Sequence, residues 1–222
     1  RVPLRDLVPD GSICAHILKL GAAPFGLTLL PEVSTVVNNI SLSYYGGETA
    51  LAAYAVIAYV AFFVQIMIQS VGDGSQPLIS VYRGAGDADA VRRLRNTNYL
   101  VAITFGFVGL GIMFVVRNAI PLLFGASDIV TPVIAYALPV FSICYIFYGF
   151  THTTTSFFYA VDDSRSSNML VIAEAIIVCV VVFVMGLLFQ VDGIWFSPTV
   201  LQMLLCILAG TLLYRRHKAH KE

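Results

Sequence analysis

Charged residues cut the chain into long apolar runs. Residues 49–72, 96–116, 129–161 and 193–214 contain no Asp, Glu, Lys or Arg, and each is long enough to cross a bilayer, which takes about 20 residues. Two further runs are each interrupted once by a carboxylate, 20–47 by Glu32 and 166–191 by Glu174. The pattern predicts six transmembrane helices. The segments between them, 44–48, 83–93, 117–128, 160–167 and 191–193, are rich in Gly, Asp and Ser, as turns are.

Polar residues inside the spans fall on stripes. In the first helix Thr28, Glu32, Thr35, Asn39 and Ser43 recur at helical spacing and share one face. Lipid does not tolerate such a face, so it must look at protein or water. Glu32 lies about 18 Å along the helix from Leu20, near the middle of a hydrocarbon core about 30 Å thick. Pro24 and Pro31 free the carbonyls of Leu20 and Leu27, which suits ion coordination. The fourth helix carries a second stripe, Ser142, Tyr145, Gly149, His152, Ser156 and Tyr159, with Tyr148 and Thr155 at its margin. Gln65, Gln69 and Gln76 form a smaller one on the second helix. Glu174, only seven residues past Ser167, is expected to snorkel to the cytoplasmic interface or to pair with Arg165.

A helix running unbroken from 49 to 83 would be about 52 Å long, so it must kink or project from the membrane. Gly72, Asp73, Gly74 and Pro77 supply a candidate hinge, Pro77 leaving the carbonyl of Asp73 unpaired. A phosphate-cradling loop is the enzymatic alternative, but no G-x-x-x-x-G-K-[ST] is present and no strand precedes the segment.

Composition agrees with a membrane protein. Hydrophobic residues make up 58%, mean hydropathy is +0.84 and only 12% are charged, about half the share of a soluble domain. Thirteen basic residues balance thirteen acidic ones in short clusters between apolar runs, which argues against a nucleic-acid partner. Cys14, Cys144, Cys179 and Cys206 have no C-x-x-C spacing and support neither a disulfide framework nor a zinc site. His16, His152, His217 and His220 form no H-E-x-x-H motif, so an enzyme is not expected. All basic residues except Arg117 fall on one side of the six-span topology, and the positive-inside rule assigns both ends of the segment to the cytoplasm.

GDGSQPLIS followed by YRGAG, GGETALAAYAV after a proline-containing first helix, and VDGIWFSPTV before the last resemble the carboxy-terminal lobe of multidrug and toxic compound extrusion (MATE) transporters. The likeness is greatest to the branch with bacterial MepA-type and DinF-type members and runs from about Leu18 to Tyr214. It implies an all-α integral membrane fold, one six-helix lobe of a twelve-helix transporter. Residues 1–19 would be a cytoplasmic inter-lobe linker, 20–214 the lobe and 215–222 a basic cytoplasmic tail. The amino-terminal six-helix lobe, absent from this chain, and the lipid bilayer are the implied partners. A six-helix half-transporter working as a dimer is the alternative.

Many MATE members have a glutamate in the seventh helix that belongs to a cation site, and Glu32 matches it in position and depth. The aspartate that several members carry in the tenth helix has no counterpart between Asp128 and Asp162. Cation coupling is therefore expected at Glu32, Asn39, Tyr145, Tyr148 and His152, and a substrate cavity at Thr28, Thr35, Gln65 and Gln69. No cofactor is expected, and no metal beyond a sodium ion at Glu32. The resemblance implies a bacterial cell-membrane antiporter, coupled to protons or sodium, that exports small amphipathic organic compounds. The alternative within the superfamily is a lipid or lipid-linked oligosaccharide flippase. That activity would want a cationic cavity, and no Lys or Arg lies deep in a predicted span.

The topology is tested by placing a cysteine at Asp89 in a background without native cysteines. Membrane-impermeant reagent is expected to label it from the cytoplasmic side only; labelling from outside would invert the assignment.

Overall fold

A computed structural model describes residues 11, 29 and 32–219. Among them there are helices and no strand: α1 (Glu32–Gly84), α2 (Ala88–Val116), α3 (Ala119–Leu123), α4 (Thr131–Ser142), α5 (Cys144–Ala160) and α6 (Ser164–Ala219). A straight α1 of 53 residues would be about 80 Å long, far beyond any bilayer. It does not run straight. Gly47, at φ 63° and ψ −160°, breaks it with a backbone conformation that glycine reaches without steric penalty. In α6 the break falls at Gln190, at φ 52° and ψ −130°. Glu32–Gly84, Ala88–Val116 and Ser164–Arg216 are long and apolar enough to span a membrane, and α4 with α5 forms one span bent by 41°. The two arms of α1, α2, the α4–α5 pair and the two arms of α6 thus make the six expected crossings.

The breaks cluster at one end of the bundle. A Cβ on Gly46 would stand 3.1 Å from Val191, and one on Gly186 would stand 2.8 Å from the Tyr45 ring, so the Gly47 and Gln190 reversals are neighbours. At the other end, the Ser80 hydroxyl donates to the carbonyl of Ala160 (3.0 Å) and Arg216 pairs with Asp163 at 3.0 Å. Arg95 and Arg216 both lie over the Phe157 ring, 5.4 and 5.9 Å from its centre. This end gathers the turns at 85–87 and 161–163 with much of the basic charge. Asp87 caps α2 there, accepting from the backbone N–H of Ala90 at 2.8 Å.

Two apolar clusters hold the bundle together. The larger joins Leu42, Tyr54, Ile57, Leu138, Tyr145, Val182 and Trp195; the smaller, toward the basic end, joins Ile79, Phe157, Phe158, Leu170 and Ala209. Outside them Phe62, Leu100, Phe107, Phe183 and Ile207 are exposed, the surface lipid would cover. Where hydrocarbon bathes the outside, helices gain from close approach more than from hydrophobic burial, and small residues permit it. Here α2 and α5 touch backbone to backbone. A Cβ on Gly106 would lie 2.6 Å from the carbonyl oxygen of Tyr145, and one on Gly149 would lie 2.7 Å from that of Ala102.

One expectation changes and two fall outside the described residues. The helix continues with helical backbone angles through Gly72 and Pro77, its only interior break being Gly47, so the expected hinge is regular helix here. Residues of the expected basic tail extend α6 as far as Ala219. The expected linker over 1–19, Gly11 apart, and Thr28, Pro24 and Pro31 lie outside the described residues.

Gly149→Leu is expected to destabilise the protein by about 1–3 kcal/mol, the usual range for overpacking, because the new side chain meets backbone that cannot rotate away. Thermal unfolding of detergent-purified protein checks this; an unchanged midpoint would contradict the close approach.

Candidate functional site

A cavity of about 380 Å³ opens where the two apolar clusters meet, bounded by Leu170 of one and Leu205 of the other. Three helices supply its polar lining: Gln69, Asp73 and Gln76 from α1, Tyr148, Thr151, His152, Thr155, Ser156 and Tyr159 from α5, and Glu174 from α6. The helical spacing of those residues on α1 and α5 turns two polar stripes toward each other.

Asp73 organises one wall. Its Oδ1 accepts hydrogen bonds from Ser156 Oγ (2.8 Å) and Gln76 Nε2 (3.0 Å) and stands 3.3 Å from His152 Nε2. The His152 ring stacks on Tyr148, centres 5.7 Å apart, and the Tyr148 hydroxyl receives the side-chain amide of Gln69. The opposite wall is a shorter chain of bonds. Thr151 Oγ1 donates to Gln202 Oε1 at 2.6 Å, and Gln202 Nε2 donates to Glu174 Oε1 at 3.2 Å. Gln202 itself is buried, with 4% of its surface exposed.

The sequence-derived residues divide accordingly. Tyr148, His152, Gln69 and Asp73 come together in the cavity. Gln65 sits one turn before Gln69, half-buried and outside the lining. Tyr145, expected on the coupling stripe, is instead fully buried in the larger apolar cluster, because the bend between α4 and α5 changes the helical phase just before it. Glu32 and Thr35 are exposed on the surface of the lobe. Glu32 makes no hydrogen bond or ion pair with another described residue, and Asn39 turns its amide back to the carbonyl of Thr35 (3.0 Å).

Two assignments need correction. Glu174 neither reaches toward an interface nor pairs with Arg165; it faces the cavity and bonds Gln202. Gly72 is a contact point. A Cβ there would stand 2.9 Å from Ser156 Oγ, and its absence lets α1 approach α5 closely enough for Asp73 to reach both Ser156 and His152. The residues missed from sequence were Glu174, Thr151 and Gln202. Glu174 and Gln202 are lone strongly polar side chains in otherwise apolar runs, a signal that marks function in a membrane.

The two glycines of the former hinge separate the readings. Gly72→Ala is expected to lower the thermal unfolding midpoint by collision with Ser156. Gly74→Ala, where a Cβ meets nothing within 4 Å, is expected to be neutral or to stabilise the helix by up to about 1 kcal/mol. Equal responses would count against close approach at Gly72.

The family model for MatE matches residues 26–185. Among curated relatives, the multidrug export protein MepA of Staphylococcus saprophyticus is 23% identical over 205 residues, covering 92% of this chain and 45% of that protein. Its namesake in Staphylococcus haemolyticus is 22% identical over 206 residues, covering 93% and 45%. The chain thus spans about half the length of the curated relatives it matches. Among solved structures, the inward-facing conformation of a multidrug resistance MATE family transporter of the MOP superfamily superposes with a TM-score of 0.90 at 15% identity, over 99% of this chain and 51% of that one. A MOP superfamily transporter from Pyrococcus furiosus, described as having a binding pocket of reverse polarity that suggests a different function, gives 0.83 at 15% identity, over 100% and 50%. The match over most of the chain shows that the chain belongs to the MatE family, and its fold is that of one half of the MATE structures it superposes on.

Proposed function

We propose that this chain is the carboxy-terminal lobe of a cation-coupled antiporter in a bacterial cell membrane, driven by protons or sodium and exporting small amphipathic organic compounds. The observation that carries the reading is the cavity: two carboxylates, an imidazole and two tyrosines line it, and no Lys or Arg does. A flippase handling a phosphate-bearing head group would need the opposite charge. A carboxylate within a span is costly to keep ionised without a partner, so binding a proton or a metal cation there changes which arrangement of the two lobes is favoured. The exposure of Glu32 and Thr35 on the lobe surface supports a cation site shared with a second lobe, and the named relatives, multidrug export proteins, supply the substrate class.

The test is export of an amphipathic cationic dye by the intact protein in liposomes. An imposed proton or sodium gradient is expected to drive it. Glu32→Gln is expected to retain dye binding and to lose most gradient-driven exchange. Transport indifferent to both gradients would remove cation coupling, and a Glu32→Gln protein exchanging at the wild-type rate would make Glu32 structural.

A further inference from the structure

The chain of bonds at Glu174 can be made in two complete ways over the same heavy atoms. In the arrangement seen, Thr151 donates to Gln202 Oε1, and Gln202 donates from Nε2 to Glu174. The carboxyl group is then an acceptor, as an ionised carboxylate must be. The Thr151 oxygen also lies 3.1 Å from the backbone carbonyl of Tyr148. One hydroxyl proton cannot serve both acceptors fully. If the Gln202 amide turns half a revolution, its Nε2 donates to Thr151 Oγ1, the Thr151 hydroxyl turns to the Tyr148 carbonyl, and Gln202 Oε1 is left facing Glu174. That face accepts a hydrogen bond, and only a protonated carboxyl group can give one.

We propose that Glu174 is a proton-binding site of this lobe, in which the Gln202 amide and the Thr151 hydroxyl reverse their hydrogen bonds together so that the carboxyl group is held in either protonation state. The step moves one proton onto a carboxylate oxygen and breaks no other covalent bond. Both states pair the same heavy atoms, so neither leaves unpaired an atom that the other satisfies, a condition a buried group must meet to change protonation without a large penalty. Gln202 and Thr151 are positioning residues. Other titratable groups facing Glu174 across the cavity are Asp73 from α1 and His152, Tyr148 and Tyr159 from α5, with His152 within electrostatic reach of the carboxylate. Asp73 differs from Glu174 in having the imidazole as a direct partner, whereas the direct partner of Glu174 is a neutral amide that can face it with either end.

The proposal rests on the reading of the protein as cation-coupled and names the ion and its carrier in this cavity. It is tested on the intact protein by infrared difference spectroscopy between acidic and alkaline pH, which reads carboxyl protonation without any need for transport. Acidification is expected to produce a protonated-carboxyl band that disappears in Glu174→Gln and persists in Glu32→Gln and in Asp73→Asn. In Gln202→Met, which keeps the bulk and removes the amide, that band is expected to shift in frequency and to appear at a different pH. Thr151→Val is expected to do the same less strongly. A band unchanged in Glu174→Gln would overturn the site, and a Gln202→Met band unchanged in both frequency and pH would overturn the relay. Should the spectra behave as expected while dye export ignores both gradients, the proton site stands and the coupled-export reading falls.

Discussion

Hydrocarbon offers no hydrogen-bond partner, and that constraint governs this lobe from its backbone to its cavity. Every peptide group within the membrane must be paired inside its own helix, so the chain crosses as helices and, among the described residues, reverses at Gly47, at Gln190 and in the loops between helices. The same rule applies to side chains. A polar group on the outer surface would cost several kcal/mol, and the outer surface accordingly presents Phe62, Leu100, Phe183 and Ile207. Many of the polar residues that the spans do carry meet this constraint by turning toward one another. The cavity is where α1, α5 and α6 do so.

Close approach and polarity are linked there. Asp73 reaches Ser156 and His152 because Gly72, one residue earlier, presents no side chain to Ser156. The α2–α5 contact at Gly106 and Gly149 fixes the helix that carries Thr151, His152 and Ser156 against a neighbour by backbone contact. Pairs of small residues thus set helix separations to within the reach of short side chains, which hydroxyls such as Ser156 and Thr151 require. Packing in the two apolar clusters then leaves the cavity at their junction, since polar residues from three helices cannot join either core.

The architecture was legible because charge-free runs and Gly/Asp-rich breaks report directly on the lipid constraint: the expected turns at 44–48 and 191–193 contain Gly47 and adjoin Gln190. The pairing of polar residues was less legible, for reasons that differ by residue. Periodicity placed Tyr145 with His152, but a helical count assumes an unbroken helix, and the α4–α5 bend intervenes at Ile143. Depth counted from Ser167 put Glu174 near an interface, yet depth says nothing of azimuth, and its partner Gln202 lies 28 residues further on across a chain reversal. Glycine in GDGSQP was read as freedom to bend, when the neighbour that needs its small size, Ser156, is 84 positions away in sequence.

Charge accounting gives the cavity its chemical character. With His152 neutral, Asp73 and Glu174 place two negative charges in a space walled by helices and lined by no Lys or Arg. Neither charge is balanced by a Lys or Arg in the lining, so positive charge entering the cavity is favoured there. The two routes are unlike. A proton on His152 sits 3.3 Å from Asp73 and makes that wall a neutral ion pair, which still presents charge to the cavity. One on Glu174 removes the charge altogether and leaves a carboxyl group whose hydrogen bond to Gln202 is reversed in direction. The first changes electrostatics within a wall joining α1 to α5; the second changes the bonding that joins α5 to α6. A lobe with both can respond to a cation along two different helix contacts, linked through the charge that His152 presents to Glu174 across the cavity.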